Sequence, residues 1–174
     1  KFIPKVVLEI INKISKHQTV NLITHKKIKN IKKLIQLSKI KNINFHKIKT
    51  DRIWLRDSGP IFLINNKSRK KLILDFRFNG WSKYNNFIND DKITNKISKI
   101  IKLEKIKPII KKNGNLIKVI MEGGAFDVNG AGSIILTEEC LLSKIQERNK
   151  NFQKKDYEKL FNKYLNIKNF IWLK

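Results

Sequence analysis

Two short motifs carry the residues most suited to chemistry. Residues 54–60 read Trp-Leu-Arg-Asp-Ser-Gly-Pro, and residues 122–124 read Glu-Gly-Gly. They place two carboxylates, Asp57 and Glu122, beside turns rich in glycine and proline. A pair of fixed carboxylates can hold a planar, permanently charged guanidinium group through two-point hydrogen bonds. The pair therefore favours a site for a guanidinium compound.

Each motif also has a plain structural interpretation. Asp, Ser, Gly and Pro all form turns, so Asp57 could belong to an ordinary turn and Trp54 to the core. In the functional interpretation the turn fixes Asp57 beside a cleft, where Trp54 could stack on a cation. Glu122 could mark a plain β-bulge or the exit into a loop. A carboxylate that closes an apolar strand directly before Gly123 and Gly124 is better explained by close backbone packing around that carboxylate.

A third cluster, residues 76–81, reads Phe-Arg-Phe-Asn-Gly-Trp. Aromatic side chains interleaved with Asn and Arg could line a ligand pocket, which makes Asn79 and Trp81 candidate substrate-binding residues. Judged by residue type alone, burial of Phe78 and Trp81 in the core is the commoner outcome.

The remaining candidates for chemistry have structural explanations. Cys140 lies in an apolar run over residues 139–142 that predicts a short buried helix, and free cysteines are among the most buried residues. His17, His25 and His46 lie in separate lysine-rich contexts without partners at metal-ligand spacing, and are expected at the surface. The sequence therefore predicts no metal site and no cofactor.

The strongly basic composition allows two interpretations. The net charge of +25 would suit a nucleic-acid-binding module or an anionic membrane surface. However, the chain has 34 Lys and only 5 Arg, with 30 Ile and 20 Asn, which is typical of an A/T-rich genome. A selected nucleic-acid surface would use more Arg and would cluster it. We therefore expect no specific nucleic-acid partner, and keep the nucleic-acid module and a degenerate, inactive gene product as alternatives.

The location follows from what the sequence lacks. A single cysteine allows no intrachain disulfide, which predicts a reducing, cytoplasmic location. No apolar run has the length of a membrane-spanning helix, so no membrane partner is expected.

Hydrophobic periodicity predicts an α/β fold in which pairs of strands alternate with single helices. The runs over residues 61–64 and 72–76 are wholly apolar, which suits strands buried on both faces. Asn129-Gly130 between two strand patterns predicts a hairpin. The first expected helix begins at Pro4 and includes the apolar residues from 6 to 14, and further helices are expected over residues 28–35, 93–101, 139–142 and 157–165. The other expected strands cover residues 19–24, 42–49, 116–120, 124–128, 133–137 and 170–173.

Taken together, these segments resemble the agmatine deiminase and bacterial-type peptidylarginine deiminase family. The similarity is carried by the two carboxylate motifs, the aromatic cluster and a Thr-Glu-Glu-Cys-Leu-Leu segment followed by Arg-Asn, in residues 50–60, 76–81, 122–130, 137–142 and 148–149. The tail, residues 164–173, resembles the family's next segment. The resemblance covers nearly the whole chain in the right order.

The resemblance implies a pentein fold, a pseudo-fivefold α/β-propeller of strand–strand–helix–strand units. It also implies hydrolysis of a guanidinium to a ureido group and ammonia, through attack by a Cys thiolate and proton transfer by a His. On matching motif positions, Asp57 would clamp the guanidinium, Glu122 would orient and charge-stabilise the His, and Trp54 would lie along the substrate channel.

The departures from the family pattern limit these expectations. The family's catalytic His and Cys lie beyond the segments found here, and Cys140 occupies an ordinary position. Residues 1–174 are thus expected to be one incomplete domain, about the first half of the propeller, inactive alone. Residues 78–84 depart from the Ala-Trp-Gly-Gly version of agmatine-specific members, so agmatine and peptidyl-arginine both stay open as small cationic substrates. An oligomer is possible for the complete protein.

Overall fold

The computed structural model describes residues 3–24, 28–37 and 39–174, which fall into two compact units divided between Thr50 and Asp51. In the first unit, two helices accompany a two-stranded parallel sheet, and one of them forms the crossover that parallel strands require. Val20 pairs with Ile43 at one end of the sheet and Thr24 with Lys47 at the other. The elements are α1 (Ile3–Ser15), β1 (Val20–Thr24), α2 (Ile28–Leu37) and β2 (Ile43–Lys47).

The second unit begins with a one-turn helix and a three-stranded mixed sheet. The first two strands pair antiparallel, and the third pairs parallel to the second after a helical crossover. Ile73 and Leu74 of the central strand are fully buried. These elements are α3 (Leu55–Ser58), β3 (Ile61–Ile64), β4 (Lys71–Leu74), α4 (Ile93–Ile101) and β5 (Lys105–Ile106).

A second three-stranded sheet repeats this connectivity near the end of the chain. An antiparallel hairpin is followed by helices and by a third strand that pairs parallel to the second. The predicted hairpin at Asn129-Gly130 is confirmed: Asn129 Oδ1 accepts hydrogen bonds from the backbone amides of Ala131 and Ser133. The elements are β8 (Phe126–Val128), β9 (Ser133–Thr137), α5 (Glu138–Leu142), α6 (Lys154–Leu165) and β10 (Asn169–Leu173).

Between the two sheets lies a further hairpin, β6 (Ile109–Lys112) and β7 (Asn115–Lys118), which the apolar periodicity did not predict. The predicted strand over residues 116–120 is split, because β7 ends at Lys118 and Ile120 forms an isolated parallel bridge with Arg77. This bridge aligns the chain that leads to Glu122 beside the chain that leads away from β4.

The core of the second unit lies between the two sheets' inner faces, the hairpin and α6. Tyr157, Leu160 and Phe161 present the buried face of α6, and the Phe126 and Phe161 rings are 4.9 Å apart. The prediction that residues 61–64 are buried on both faces is wrong. Phe62 and Ile64 are 55% and 49% exposed, because β3 alternates and only one of its faces meets the core.

Candidate functional site

Asp57 lies in α3, a single helical turn instead of the bare turn that its sequence suggested. The Trp54 carbonyl accepts hydrogen bonds from the amides of Asp57 and Ser58, both at 3.2 Å. The Ser58 hydroxyl donates to the same carbonyl at 3.1 Å. Gly59 then closes the turn and Pro60 leads into β3. The short turn thus fixes the direction of Asp57 through its neighbours' backbone.

The Glu122 motif packs directly against this turn. Residues 123–125 form one 3₁₀ turn, and an added side-chain carbon at Gly123 would lie 2.5 Å from the Arg56 carbonyl oxygen. A side-chain carbon at Gly124 would overlap Asp57 Oδ1. Gly123 is therefore required by the close approach of two backbones, and Gly124 leaves room for the Asp57 carboxylate. This contact, and not a bulge in a sheet, brings the two motifs together.

The Asp57 carboxylate is partly buried and is bordered by donors. Burial raises the pKa of Asp57 above its ordinary value. Hydrogen bonding with the Gly124 backbone and the Trp81 side chain, and the positive charges of Arg56 and Arg148, oppose that shift by favouring the ionised form. A carboxylate held in this way by fixed donors retains acceptor capacity for a cationic ligand.

Glu122 is almost completely buried, with 1% of its surface exposed. Its Oε1 accepts a hydrogen bond from Arg148 Nε at 2.8 Å, in an ion pair whose two side chains are both buried. Burial raises the pKa of Glu122; the Arg148 charge opposes this shift, and the Asp57 charge adds to it. Among the described residues Oε2 of Glu122 has no hydrogen-bond partner. Buried polar atoms are rarely left in that state, so this oxygen is the most unusual atom of the site.

Arg148 and Asn149 hold Glu122 in place, a role that sequence reasoning did not assign to them. Arg148 Nη1 donates to the carbonyls of Cys140 and Gln146. Asn149 accepts from the Ile120 amide at 2.9 Å and donates to the Ile120 carbonyl at 2.8 Å, which fixes the strand that ends at Glu122. The available signal was the arginine itself, in a chain with 5 Arg and 34 Lys.

The other candidate residues take different places. Trp81 contacts Asp57, and its ring packs edge-on against Phe78 at 5.1 Å. Asn79 makes two hydrogen bonds with Ser82, so its side chain shapes a turn. Trp54 is 58% exposed and holds α3 through its backbone carbonyl. The structure thus brings together Asp57, Glu122 and Trp81, while substrate contacts of Asn79 and Trp54 stay predictions.

The Cys140 carbonyl accepts a hydrogen bond from Arg148, but among the described residues no hydrogen bond joins the Cys140 side chain to Asp57 or Glu122. Cys140 is partly buried and packs against the core, and His17 is exposed. His46 is half-buried, with Nε2 2.9 Å from Asn21 Oδ1, and His25 lies outside the described residues. In the part of the chain that the structure describes, no group of three or more His, Cys, Asp or Glu side chains could hold a metal, and no helix could span a membrane.

A polar cleft of about 290 Å³ occupies a different part of the second unit. Both of its carboxylates are paired, since Lys105 contacts Asp75 at 2.5 Å and Arg77 contacts Asp91 at 2.9 Å. None of the candidate residues lines this cleft. The Asp57–Glu122 pair therefore remains the better candidate site.

The sequence is similar to that of a known protein family. The whole chain, residues 1–174, matches the family described as Porphyromonas-type peptidyl-arginine deiminase. It is 32% identical over 137 residues to the agmatine deiminase of Ectopseudomonas mendocina (strain ymp), which covers 76% of this chain and 34% of that protein.

Solved structures show the same similarity. The agmatine deiminase of Enterococcus faecalis aligns with a TM-score of 0.81 at 25% identity, over 99% of this chain and 45% of that one. A C. jejuni agmatine deiminase with substrate bound aligns with a TM-score of 0.79 at 28% identity, over 99% and 47%. The chain therefore spans less than half the length of these relatives. It belongs to the Porphyromonas-type peptidyl-arginine deiminase family.

Proposed function

We propose that this chain forms the guanidinium-holding part of an enzyme that hydrolyses a guanidinium compound to a ureido compound and ammonia. The observation that carries the proposal is the juxtaposition of Asp57 with Glu122, whose buried Oε2 lacks a donor among the described residues. Family membership and the names of the relatives support the type of reaction.

Asp57 is proposed as the clamp for the guanidinium. Its carboxylate accepts from fixed groups on one side and can pair with two N–H groups of a planar cation. A bound cation would also lower the pKa of Asp57, against the effect of burial, and so favour the ionised form that binds it.

Glu122 is proposed as the partner of the reaction's proton-transfer group. Arg148 bonds Oε1, and Oε2 is left for a donor supplied by the catalytic His that the resemblance implies. An imidazole N–H donated to a buried carboxylate fixes the ring and stabilises its protonated form. A His N–H would thus supply the hydrogen bond that Glu122 Oε2 lacks among the described residues.

In the proposed reaction a cysteine thiolate adds to the guanidinium carbon, and ammonia leaves with a proton from the His. Water then gives a proton to the His and adds to the amidino-thioether carbon, the C–S bond breaks, and the ureido product and thiolate are released. Cys140 is not proposed as this nucleophile, because it packs against the core. We propose that the complete enzyme is a cytoplasmic pentein propeller, that agmatine or peptidyl-arginine is its substrate, and that the 174-residue chain alone does not turn over.

Binding of agmatine by the purified chain tests the clamp. We expect calorimetry to detect binding, and Asp57→Asn to weaken it at least about tenfold, because one charge-assisted contact is lost while the shape is kept. Asp127→Asn is the matched control, since Asp127 is exposed and its nearest cation, Arg56, is 3.8 Å away. Equal affinity in wild type and Asp57→Asn, or no binding by wild type, would overturn the assignment of Asp57.

A further inference from the structure

The segment that carries Trp81 has an unusual backbone. Gly80, Trp81 and Ser82 have φ values of +66°, +60° and +57°. A single left-handed residue other than glycine is uncommon, and a bulky one is an outlier that surrounding contacts must hold in place. Such strain frequently accompanies a side chain that has to point in one direction.

The turn itself accounts for part of that support. The amides of Lys83 and Tyr84 both donate to the Gly80 carbonyl at 3.1 Å. Asn79 exchanges two hydrogen bonds with Ser82, and the Ser82 hydroxyl donates to the Glu147 carbonyl at 3.0 Å. These bonds fix the backbone but leave the indole ring of Trp81 to be fixed by other contacts.

Phe78 and Tyr84 pack edge-on against the Trp81 ring, and Arg52 adds a contact with its face. Its guanidinium lies 5.4 Å from the Trp81 ring centre and 4.6 Å from that of Tyr84. Nη1 donates to the Asn86 carbonyl at 2.7 Å, and Nη2 donates to Asn86 Oδ1 at 2.6 Å. A planar fork that stacks on rings while donating along its edge is a geometry available to Arg and not to Lys.

Reciprocal hydrogen bonds between backbone amides and aspartate side chains hold the segment that carries Arg52. The Asp51 amide donates to Asp90 Oδ1 at 2.7 Å, and the Asn89 amide donates to Asp51 Oδ2 at 2.7 Å. Asp90 is almost fully buried, and its Oδ2 lies 3.7 Å from Arg52 Nη1. The chain five residues before Asp57 is thereby tied to the segment that precedes α4.

We propose that Arg52 is a positioning residue for the guanidinium clamp: held by Asn86 and Asp90, it fixes the indole of Trp81, which contacts the Asp57 carboxylate. The inference rests on the function proposed above. Arg52 also occupies ring faces of Trp81 and Tyr84. A cationic substrate is therefore recognised by carboxylates and not by those faces.

The test measures agmatine affinity and the indole N–H resonance of Trp81, assigned by its loss in Trp81→Phe. Arg52→Gln is expected to raise the agmatine Kd about tenfold, and Arg52→Lys to restore it only partly. In wild type the indole resonance should shift as Asp57 titrates; in Arg52→Gln this coupling should weaken. Arg69→Gln, at an exposed arginine in the turn between β3 and β4, is the matched control and should change neither readout.

The outcomes separate the two proposals. If Asp57→Asn binds agmatine normally, the proposed function fails. If Asp57→Asn loses binding while Arg52→Gln keeps both its affinity and the indole coupling, only the role of Arg52 fails. Should Arg52→Gln not fold, Trp81→Phe keeps an aromatic ring, a smaller one, but removes the N–H donor. It is expected to bind agmatine several-fold more weakly, and unchanged affinity there would overturn the inference.

Discussion

Arginine occupies the positions of this chain where a planar, forked cation is required. Arg148 bonds one carboxylate and two carbonyls, and Arg52 bonds both acceptors of Asn86 while stacking on two rings. Arg77 Nε contacts both oxygens of Asp91. Lysine, a point charge on a flexible stem, cannot reproduce these contacts. In a chain biased toward lysine, the buried Arg148 and the stacked Arg52 are therefore informative residues.

Replacement of Arg148 with Met should destabilise the fold, because Glu122 would be left as an unpaired buried charge. We expect a loss of about 3–5 kcal/mol in the free energy of unfolding at neutral pH. Burial already raises the pKa of Glu122, and removal of Arg148 raises it further. The folded state then binds a proton more readily than the unfolded state, so the loss should grow as pH rises from 5 to 8.

Denaturant unfolding at both pH values measures this effect. Lys70→Met is the control, since Lys70 and Glu104 form an ion pair in which both side chains are mostly exposed, and such pairs contribute about 0–1 kcal/mol. The double variant Glu122→Gln, Arg148→Met should recover part of the stability. An Arg148→Met loss as small as that of Lys70→Met would contradict the buried pair.

Asp57 should show a conflict between binding and stability. Because burial raises its pKa in the folded state, the ionised form costs stability, and this cost develops as pH rises through the folded pKa. Asp57→Asn, the variant that loses agmatine, should therefore have a higher Tm than wild type at pH 7. The two should converge near pH 3, where the unfolded carboxyl is also protonated. A lower Tm for the variant at pH 7 would show that the bonds to the carboxylate dominate.

At the level of elements, the sequence predicted the helices and turns that neighbouring residues determine. The amphipathic stripes of α4 and α6 and the Asn129-Gly130 hairpin follow from spacing and turn chemistry, and the structure confirms them. The hairpin at Asn113-Gly114 has the same turn signal, but its lysine-rich strands obscured the alternation. α3 replaced a predicted turn because residues 122–125 pack against it. That packing joins segments more than sixty positions apart, which periodicity cannot show.

At the site, too, local sequence identified some residues and missed their distant partners. Asp57 and Glu122 could be identified from residue type and their glycine-rich surroundings. Their partners could not be identified, because Arg148 lies 26 positions from Glu122, and the hydrogen bond between the Arg52 amide and Asp90 joins segments 38 positions apart. Only the fold determines which distant donor faces a given carboxylate.

Gly124→Ala should abolish agmatine binding without changing any charge. The added methyl would overlap Asp57 Oδ1, so the carboxylate must turn away or α3 must separate from residues 122–125. Gly130→Ala is the informative control. Nothing lies within 4 Å of a side-chain carbon there, but φ is +71°. That strain should cost roughly 1 kcal/mol of stability and leave binding intact. Normal agmatine binding by Gly124→Ala would contradict the close approach of the two motifs.

For the whole molecule, the excess of positive charge is the feature that most needs an explanation. The net charge of +25 is spread over both units, and the polar cleft of the second unit pairs its carboxylates with Arg77 and Lys105. A dispersed charge of this kind attracts any polyanion without selecting among sequences. The composition is thus compatible with the codon bias of an A/T-rich genome, as the sequence suggested.

Binding to duplex DNA distinguishes dispersed charge from a nucleic-acid-binding site. We expect weak binding whose affinity is equal for unrelated duplexes. The affinity should fall by about 10³-fold or more between 50 and 200 mM salt if six or more phosphates are contacted. Fluorescence anisotropy with two labelled duplexes measures both properties. Lys118→Gln, in the polar cleft, should lower the slope of log K against log salt by no more than about one. Tight binding to one duplex at physiological salt, lost on that single change, would identify the cleft as a nucleic-acid site and favour the alternative interpretation.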